Sequence, residues 1–342
     1  MNIAIIGHGS VGKHYINLLK DFKNIKKIFI VENSKIKIKL DKRCILTSFK
    51  NIEKEKLKID FAIICTPSGS HFKHASFFIK KGIDTLIEKP FVLSIKDAKK
   101  LIQLNKLKKN KCWVAFQNRH NLAIQQGKKI VKEKRFGNPF FVDSALYWHR
   151  SKNYYRTSWR GKYSSDGGVL FNQSIHLLDI MIYFFGPVKK FNFFADFNKK
   201  KLQAEDLITL NLVHKNNIIS NLKATTRADR DYRMSMDVLC DKGRYLIKDI
   251  SLNKIFYFNK THLKIDRYNS EHFKRGLGPK SGMGNGHKKI LKEFLNKNKK
   301  NSSKDLEIEK NLYLIKLIHS IYNSLFKEKK YSIVKENEFK HT

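Results

Sequence analysis

The sequence predicts an α/β protein that begins with a doubly wound parallel sheet and continues into an α+β domain with a large, mostly antiparallel open sheet. Up to about residue 120, apolar runs of strand length alternate with amphipathic runs of helix length, which is typical of a parallel sheet covered on both faces. Between about residues 188 and 260 the chain is rich in strand patterns. A length of 342 residues is enough for two domains, which we place at 1–120 and 121–342.

The first domain opens with a strand, a glycine turn and a helix. Residues 2–6 form a short apolar run, and residues 11–22 form an amphipathic stretch. A helix over 94–110 has Ser94 as its N-cap and Asp97 three residues later, close to a capping box. The other elements predicted up to residue 120 are strands at 26–32, 60–71 (ending in a turn of Pro, Ser and Gly), 83–90 and 111–119, and a helix over 71–82.

The second domain mixes helices and strands. A long helix over about 167–185 is stopped by Gly186 and Pro187. It follows a polar, arginine-rich and aromatic loop at 150–165. The remaining predictions are a helix at 121–134, a strand at 140–150, several strands between 188 and about 260, a surface loop at 296–304 and a last helix at 305–328.

The net charge of +40 raises the question of a polyanionic partner such as nucleic acid or a membrane surface. The charge is carried mostly by lysines spread along the whole chain, which favours a solvated basic surface, so we expect no nucleic-acid or membrane partner. The apolar stretch 169–186 is interrupted by polar side chains and does not predict a membrane span. Four widely spaced cysteines without a C-x-x-C pair, and no leader pattern at residues 3–6, predict a cytoplasmic protein without a metal site.

The glycine turn is a G-x-G-x-x-G motif made of Gly7, Gly9 and Gly12. Gly7 permits the tight turn after the strand, Gly9 lets a pyrophosphate approach the backbone, and Gly12 lets the helix pack closely on the strand. The free N–H groups of Ser10 and Val11, at the start of the helix, would then face the phosphates. Alone, the motif is equally compatible with an ordinary turn; between a strand and a helix it favours a Rossmann-type dinucleotide site.

An acidic side chain supports the same interpretation. Glu32 lies at the end of the second strand, 20 residues after Gly12, where a carboxylate would bind the ribose hydroxyls. A carboxylate there repels a 2′-phosphate, so NAD is favoured over NADP. Lys35, nearby in the sequence, keeps NADP open.

Two further strands end in residues suited to a ligand at the carboxyl edge of the sheet. Thr66 and Pro67 form an extended turn that can pass along the cofactor. Lys89 precedes Pro90, so its backbone is restricted to extended geometry and its side chain is aimed firmly. The sequence leaves a cis bond before Pro90 open.

A third stretch places polar groups on one face of the long predicted helix. Asn172, His176 and Asp179 are spaced i, i+4 and i+7, after two glycines that allow close approach of a ligand or of another backbone segment. Polar groups in an apolar helix need partners or a function. Considered alone, His176 is more often a core histidine with satisfied hydrogen bonds.

Together these motifs resemble the Gfo/Idh/MocA oxidoreductases, the group of glucose–fructose oxidoreductase and inositol dehydrogenase, over nearly the whole chain. The markers are the glycine motif, Thr66-Pro67 with His71, Glu88-Lys89-Pro90, and the helix that carries His176 and Asp179. The resemblance implies a nicotinamide-binding Rossmann domain, with His71 and Glu88 beside the cofactor, and a second domain whose open sheet commonly forms the contact in a dimer or tetramer. It also implies that Lys89 and His176 lie at the reacting carbon. Many members carry Asp where this chain has Asn172, which cannot ionise and is expected to orient the substrate.

Within the family, residues 154–179 most resemble the branch that acts on nucleotide-linked sugars, notably the UDP-N-acetylglucosaminuronate 3-dehydrogenases. Aromatic rings stack on flat ligand groups, and guanidinium groups bind phosphates and carboxylates. A surface loop whose rings simply pack is the alternative. The candidate substrate-binding residues are Tyr154, Tyr155, Arg156, Trp159 and Arg160 in the loop, together with Asn172, His176, Arg119, Arg227 and His287.

The predicted reaction is the reversible oxidation by NAD of a secondary sugar hydroxyl, with C3 as the favoured carbon. The substrate would be a small sugar, more specifically a UDP-linked sugar or uronate used for surface polysaccharide precursors. His176 would take the hydroxyl proton while Lys89 orients the hydroxyl and stabilises charge on its oxygen; the sequence does not decide which of the two is the principal base. A free-sugar or cyclitol dehydrogenase and a non-catalytic NAD- or sugar-binding sensor are the alternatives.

Overall fold

The computed structural model describes residues 1–32, 42–196, 202–258, 263–264, 286–296 and 304–327. It contains a six-stranded parallel sheet followed by an eight-stranded, mostly antiparallel sheet. This is the predicted fold class. No helix among the described residues is long and apolar enough to cross a membrane.

The first sheet has the strand order β3-β2-β1-β4-β5-β6 and is parallel throughout. Its order reverses between β1 and β4, and open α/β folds bind ligands at such a switch point, beyond the carboxyl ends of the strands. The strands are continuous apolar runs because helices cover both faces. The elements are β1 (Asn2–Ile6), α1 (Ser10–Leu19), β2 (Lys27–Val31), β3 (Cys44–Thr47), α2 (Phe49–Lys54), β4 (Phe61–Ile64), α3 (His71–Lys80), β5 (Asp84–Ile87), α4 (Ile95–Lys108) and β6 (Cys112–Val114).

The predicted cap of α4 is confirmed, because the Ser94 hydroxyl accepts a hydrogen bond from the Asp97 N–H at 3.0 Å. The sequence interpretation did not identify β3 and α2. β3 is a short edge strand, and its Ile45 and Leu46 are exposed to solvent although its sequence is apolar.

The second sheet has the order β14-β13-β12-β11-β7-β10-β9-β8. The described pairings in this sheet are antiparallel apart from β7 with β10. Alternate residues of β9 and β10 are buried, so one face of the sheet holds the core and the other faces outwards. The elements are α5 (Leu122–Glu133), β7 (Pro139–Tyr147), α6 (Val169–Asn172), α7 (Ile175–Phe185), β8 (Val188–Asp196), β9 (Leu207–His214), β10 (Ile219–Thr225), β11 (Arg233–Cys240), β12 (Gly243–Lys248), β13 (Lys254–Phe258), β14 (Leu263–Lys264), α8 (Gly286–Phe294) and α9 (Ile308–Lys327).

The single long helix predicted over 167–185 is wrong, because two helices, α6 and α7, occupy this stretch. The Ser174 hydroxyl donates to the carbonyl oxygen of Val169 at 3.0 Å, and the Ser174 N–H donates to the same oxygen at 2.8 Å. A serine that binds a nearby main-chain carbonyl in this way competes with continued helical hydrogen bonding.

The last two helices return to the first sheet. The buried Lys111 amine donates to the carbonyl oxygens of Phe294 and Asn296 at 2.9 and 2.7 Å, which ties the end of α8 to the start of β6. Asn105 on α4 donates to Glu309 on α9 at 3.3 Å. The division at residue 120 stays a prediction, and these contacts show that the C-terminal helices pack against the N-terminal half.

Candidate active site

A cavity of about 1090 Å³ lies between the carboxyl edge of the first sheet and the segment that leads into α6 and α7. It brings together most of the predicted site residues from both halves of the chain. Those that line it are Gly7, Gly9, Ser10, Val11, Glu32, Thr66, Pro67, His71, Glu88, Lys89, Tyr154, Trp159, Arg160, Asn172, His176 and His287.

The glycine turn forms one end of the cavity. Gly7 has a φ of +98°, which a side chain rarely tolerates, and a Cβ on Gly12 would lie 2.0 Å from the Gly7 carbonyl oxygen. A Cβ on Gly9 would meet no atom within 4 Å, so the backbone there is open towards the cavity. Gly12 does not line the cavity itself; its contact with Gly7 closes the turn beneath it. These three environments fit a cradle for a pyrophosphate group.

Glu32 is held at the end of β2, facing the glycine turn. Its Oε2 accepts a hydrogen bond from the His8 N–H at 2.8 Å, and the carboxylate lines the cavity. This position suits hydrogen bonding to the ribose hydroxyls of a dinucleotide. Lys35, which kept NADP open, lies outside the described residues.

His71 ties together the segments that follow β4 and β5. One ring nitrogen lies 2.7 Å from the Thr66 carbonyl oxygen and the other lies 2.8 Å from that of Pro90. Because both nitrogens are engaged with main-chain oxygens, the ring positions the two loops. The Lys89-Pro90 bond between these contacts is cis.

Lys89 reaches across the cavity to the second half of the chain. Its Nζ donates to the main-chain oxygen of Asn172 at 2.6 Å. Burial lowers the pKa of Lys89, whereas the carboxylates of Glu88 and Asp166 oppose that shift. An amine in this environment is well placed to bind a substrate oxygen.

Glu88 lies at the centre of a buried polar cluster beside Lys89. Tyr15 donates to its Oε1 at 2.7 Å, and the His287 ring nitrogen lies 3.6 Å from the same oxygen. Burial opposes ionisation of Glu88, yet His287, Tyr15 and Lys89 together hold its pKa below the ordinary value. His14 packs edge-on against His287, with ring centroids 5.0 Å apart. Sequence reasoning did not identify Tyr15 or His14, because no local pattern connects α1 to α8.

His176 lies near the start of α7 and lines the same cavity. Burial lowers its pKa well below 6.5, and the neighbouring Lys89 and His287 add to that shift. Its Nδ1 has no hydrogen-bond partner in the described part of the chain. The ring is therefore a neutral imidazole beside the Lys89 amine, and neutral is the state that a proton acceptor requires.

Arg119 does not line the cavity, although the sequence interpretation expects it to contact the substrate. Its guanidinium donates to Asp179 at 2.9 Å and to Asn311 at 2.9 Å, so it is used in a buried ion pair. Asp179 accepts hydrogen bonds from Arg119 and does not line the cavity. Only Asn172 and His176 of the predicted polar face reach the cavity.

Tyr155, Arg156 and Arg227 line a second, smaller cavity of about 380 Å³. Arg227 donates to Asp206 at 2.6 Å and to Asp196 at 2.8 Å, so its charge is largely matched by carboxylates. The three residues are therefore not in the main cavity, where the sequence interpretation expected them. Arg150 lines both cavities and connects them.

Arg150 and Arg160 form a basic, aromatic rim on the main cavity. Arg150 stacks over Trp148 at 4.8 Å, and Arg160 lies 4.0 Å from the ring centroid of Tyr154 and 4.8 Å from that of Trp159. Stacking on the ring faces holds each guanidinium in a fixed plane. Arg150 lies where the predicted strand at 140–150 meets the predicted loop at 150–165, and sequence reasoning did not select it as a site residue.

Asp166 is a further residue that sequence reasoning missed. It lies directly before the two glycines, is 3% exposed and lines the cavity. Its carboxylate accepts the Gly161 N–H at 2.9 Å and the side-chain amide of Asn172. Burial raises its pKa to about 6. A carboxylate next to a pair of glycines carries no recognisable spacing, so only the three-dimensional structure connects it with Asn172.

Glu205 accepts a hydrogen bond from the main chain of α6, and its raised pKa leads us to expect that stability depends on pH. Its Oε1 accepts the Leu170 N–H at 2.9 Å and the Tyr322 hydroxyl at 2.8 Å, and burial raises its pKa from 4.5 to about 7. The folded state therefore retains a proton that the unfolded chain has lost, so stability contributed by this group is full below pH 4.5 and is lost as pH rises through 7. A shift of this size corresponds to on the order of 3 kcal/mol.

We expect Glu205→Gln to remove this dependence. The Tm of the variant, measured by calorimetry between about pH 4 and pH 8, should fall less with rising pH than that of the wild type. Parallel Tm curves for the two proteins would show that Glu205 does not titrate in this window.

Comparison with known protein families assigns both halves of the chain. Residues 1–116 match the model of an oxidoreductase family with a NAD-binding Rossmann fold, and residues 124–246 match that of the GFO/IDH/MocA C-terminal domain. Curated relatives include UDP-N-acetylglucosamine 3-dehydrogenase of Acidithiobacillus ferrooxidans, 25% identical over 42% of this chain and 44% of that protein. The uncharacterized oxidoreductase YhhX of Escherichia coli is 28% identical over 37% of this chain and 36% of that protein. The chain thus matches less than half the length of these two relatives.

Solved structures share the fold over nearly the whole chain. The WlbA dehydrogenase of Bordetella pertussis, in complex with NADH and UDP-GlcNAcA, has a TM-score of 0.77 at 20% identity, covering 95% of this chain and 96% of that one. A levoglucosan dehydrogenase in complex with NADH and L-sorbose has a TM-score of 0.80 at 18% identity, covering 96% and 97% of the two chains. The two matched domain models together cover more than half of the sequence, and the protein therefore belongs to the Gfo/Idh/MocA family of NAD-binding oxidoreductases.

Proposed function

We propose that this protein oxidises a secondary hydroxyl of a nucleotide-linked sugar or uronate with NAD, C3 being the favoured carbon. The observation that carries the proposal is the position of the Lys89 amine and the neutral His176 ring on one cavity, which also contains the glycine turn and Glu32. A proton acceptor and a cation thus lie beside a dinucleotide-type cradle. This is the set of groups that alcohol oxidation by hydride transfer requires.

The chain's own residues account for cofactor binding and proton transfer. The glycine turn would hold the pyrophosphate, Glu32 the ribose hydroxyls, and the Thr66-Pro67 turn one side of the cofactor. When bound, NAD supplies the hydride acceptor. His176 takes the proton from the substrate hydroxyl, because its low pKa keeps the imidazole neutral. Lys89 donates a hydrogen bond to the same oxygen and stabilises the negative charge that develops there.

The rim residues support a substrate with an anionic nucleotide part. Arg150 and Arg160 are held by stacking, and guanidinium groups bind phosphates and carboxylates through paired hydrogen bonds. The second cavity extends the basic surface from Arg150 to Lys152 and Arg156. The nucleotide sugar and NADH in the similar WlbA dehydrogenase structure support the same substrate class.

To test this, the purified protein is incubated with NAD and each of a panel of substrates, and NADH formation is measured by its absorbance. We expect oxidation of a UDP-sugar or UDP-uronate, with UDP acting as a competitive inhibitor. Oxidation confined to free sugars or cyclitols, without inhibition by UDP, would overturn the nucleotide part of the proposal. Binding of UDP-sugars without any NADH formation would instead support a sensor.

Replacement of Glu32 should change cofactor preference. Glu32→Gln removes the charge but keeps the shape, and loss of hydrogen bonds to a charged group costs about 1.5–3 kcal/mol, or roughly 10–100-fold in affinity. We expect kcat/KM for NAD to fall by this factor and the ratio of NADP to NAD activity to rise, because the 2′-phosphate is no longer repelled. Steady-state kinetics with both cofactors measure the effect.

Asp84→Asn is a matched control for that variant. Asp84 also accepts a main-chain N–H, that of Lys111 at 2.7 Å, but lies at the opposite end of the sheet. Its replacement should leave the cofactor ratio unchanged. If Glu32→Gln also leaves the ratio of NADP to NAD activity unchanged, Glu32 does not contact the ribose.

We also propose a homo-oligomer, a dimer or tetramer, that forms through the second sheet. Phe194 and Ile219 are 64% and 45% exposed and lie on its outward face, opposite the buried Leu210 and Leu222. Apolar groups exposed on a sheet face are typical of an interface. Light scattering coupled to size-exclusion chromatography gives the mass, and a monomer would overturn this proposal. A cytoplasmic location stays a prediction.

A further inference from the structure

Asp166 is fixed in the wall of the cavity by hydrogen bonds to both of its carboxylate oxygens. One oxygen accepts the Gly161 N–H at 2.9 Å, and the other accepts the side-chain amide of Asn172. With 3% of its surface exposed, the group has little room to move. Burying a carboxylate lowers the stability of the fold unless the charge is paired and hydrogen-bonded.

Asn172 connects this carboxylate to the amine of Lys89. Its side-chain amide donates to Asp166, while its main-chain oxygen accepts from Lys89 Nζ at 2.6 Å. The three residues therefore form one continuous polar network in the cavity wall. A change at Asp166 can reach Lys89 both through this network and directly through its charge.

We propose that Asp166 is a positioning residue that keeps Lys89 in its cationic, substrate-orienting state, acting through Asn172 and through its own negative charge. The inference rests on the proposed dehydrogenation and adds a residue to it. Asp166 occupies no role in the sequence interpretation, and Asn172 cannot supply a charge itself.

The charges around Lys89 show why one more carboxylate is needed. Arg150 is a cation that disfavours a second positive charge, burial lowers the pKa of the neighbouring His71, and His176 is a neutral ring. Glu88 favours the cation, but its Oε1 already accepts from Tyr15 and lies beside His287. Asp166 is the second carboxylate that favours the cation.

The groups that face Asp166 are cations or uncharged side chains, which are compatible with a negative charge on its carboxylate. Lys89 and Arg160 are the cations near it, and the phenols of Tyr154 and Tyr155 are uncharged because burial raises their pKa values. Burial raises the pKa of Asp166 itself to about 6, while Gly161, Lys89, Arg160 and Asn172 oppose that shift. Above about pH 6 the carboxylate is therefore charged and supports the cation; below it, that support is lost.

The direct test measures the titration of Lys89 without any need for turnover. The wild type and Asp166→Asn are labelled with acetic anhydride over a range of pH, and modification of Lys89 is followed by mass spectrometry of its peptide. Only the neutral amine reacts, so we expect labelling of Lys89 to begin on the order of one pH unit lower in the variant. Coincident labelling curves would overturn the inference, whatever substrate the enzyme takes.

A second measurement connects the charge to catalysis. In Asp166→Asn, the alkaline limb of the kcat profile should move down by a similar amount, so that kcat at a pH on that limb falls by up to about tenfold. The double variant Asp166→Asn with Asn172→Asp exchanges amide and carboxylate across one hydrogen bond, and should return the alkaline limb towards the wild-type position. If the double variant does not restore the alkaline limb and the labelling of Lys89 is not shifted, Asp166 only stabilises the loop and does not act on Lys89.

A control variant and the wild-type assay distinguish this inference from a general effect of removing a buried carboxyl and from failure of the proposed function. Glu205→Gln alters another buried carboxyl with a raised pKa, and its alkaline limb should not move. If the wild type forms no NADH with any sugar, the proposed function fails, while a shifted labelling curve would still establish the electrostatic link between Asp166 and Lys89.

Discussion

Replacement of Lys89 by methionine should lower kcat by at least about 100-fold and leave NAD binding intact. Loss of a single preorganised donor to a developing oxyanion costs roughly 10²–10³-fold in rate. Methionine keeps the length of the side chain but removes the hydrogen bond to Asn172 and the positive charge in the cavity wall. The glycine turn and Glu32 lie at the cofactor end of the cavity and are unchanged. Steady-state kinetics give kcat, and titration calorimetry with NAD gives the cofactor affinity.

Lys111→Met is the matched control for this variant. Lys111 is also a buried lysine whose amine donates to main-chain oxygens, those of Phe294 and Asn296, but it does not line the cavity. Its replacement should lower the Tm and leave kcat unchanged. If Lys89→Met retains kcat within a few-fold of the wild type, Lys89 does not act at the reacting carbon.

The first sheet could be predicted from the sequence because its evidence is local. β1, β2 and β4 contain continuous apolar runs, and the glycine turn and the cap at Ser94 depend on contacts within a few residues. The edge strand β3 was not predicted although Cys44, Ile45 and Leu46 form an apolar run, because so short a run does not fix the type of element.

The site was predictable only in part, because its geometry depends on partners distant in the chain. Lys89 and His176 were chosen from motifs and do share the cavity. Arg119 was chosen for its charge, but Asp179 and Asn311, far along the chain, use that charge for an ion pair. No sequence pattern could show which cation is already neutralised.

The break between α6 and α7 illustrates the same limit on a smaller scale. Helical spacing placed Asn172, His176 and Asp179 on one face, but the hydroxyl of Ser174 binds the Val169 oxygen and interrupts the helix. Two of the three residues still reach the cavity, and the third does not. The polar network from Asp166 to Lys89 depends on this break, because Asn172 ends α6 with its carbonyl free to accept Lys89.

His176→Gln should lower kcat by roughly 10²–10⁴-fold, the usual contribution of a positioned general base. Glutamine keeps a hydrogen-bonding side chain of similar size but cannot accept the proton. Because burial, Lys89 and His287 hold the pKa of His176 well below 6.5, the wild type should keep its activity into mildly acidic solution. In the variant, solvent hydroxide must take the proton, so the residual rate should rise about tenfold per pH unit. Rates measured over a range of pH with saturating NAD test both expectations.

His214→Gln controls for the loss of a buried histidine. Its two ring nitrogens are satisfied by the Gly186 carbonyl oxygen at 2.8 Å and the Ser220 hydroxyl at 2.9 Å, and it does not line the cavity. It should lower the Tm without changing the pH profile of kcat.

The shapes of the two catalytic pH profiles decide which residue is the base. If His176 accepts the proton, His176→Gln acquires the hydroxide dependence. Lys89→Met then loses the alkaline limb that the amine sets and otherwise keeps the wild-type profile at a lower rate. If Lys89 were the base, the pattern would be reversed, because a neutral amine would be needed and activity would rise with pH in the wild type. The carboxylates of Glu88 and Asp166 favour the cationic amine, whereas burial and the nearby Lys89 favour the neutral ring of His176. In this proposal, opposite charge states on Lys89 and His176, each set by its own neighbours, assign the proton acceptor to His176 and the oxyanion-stabilising cation to Lys89.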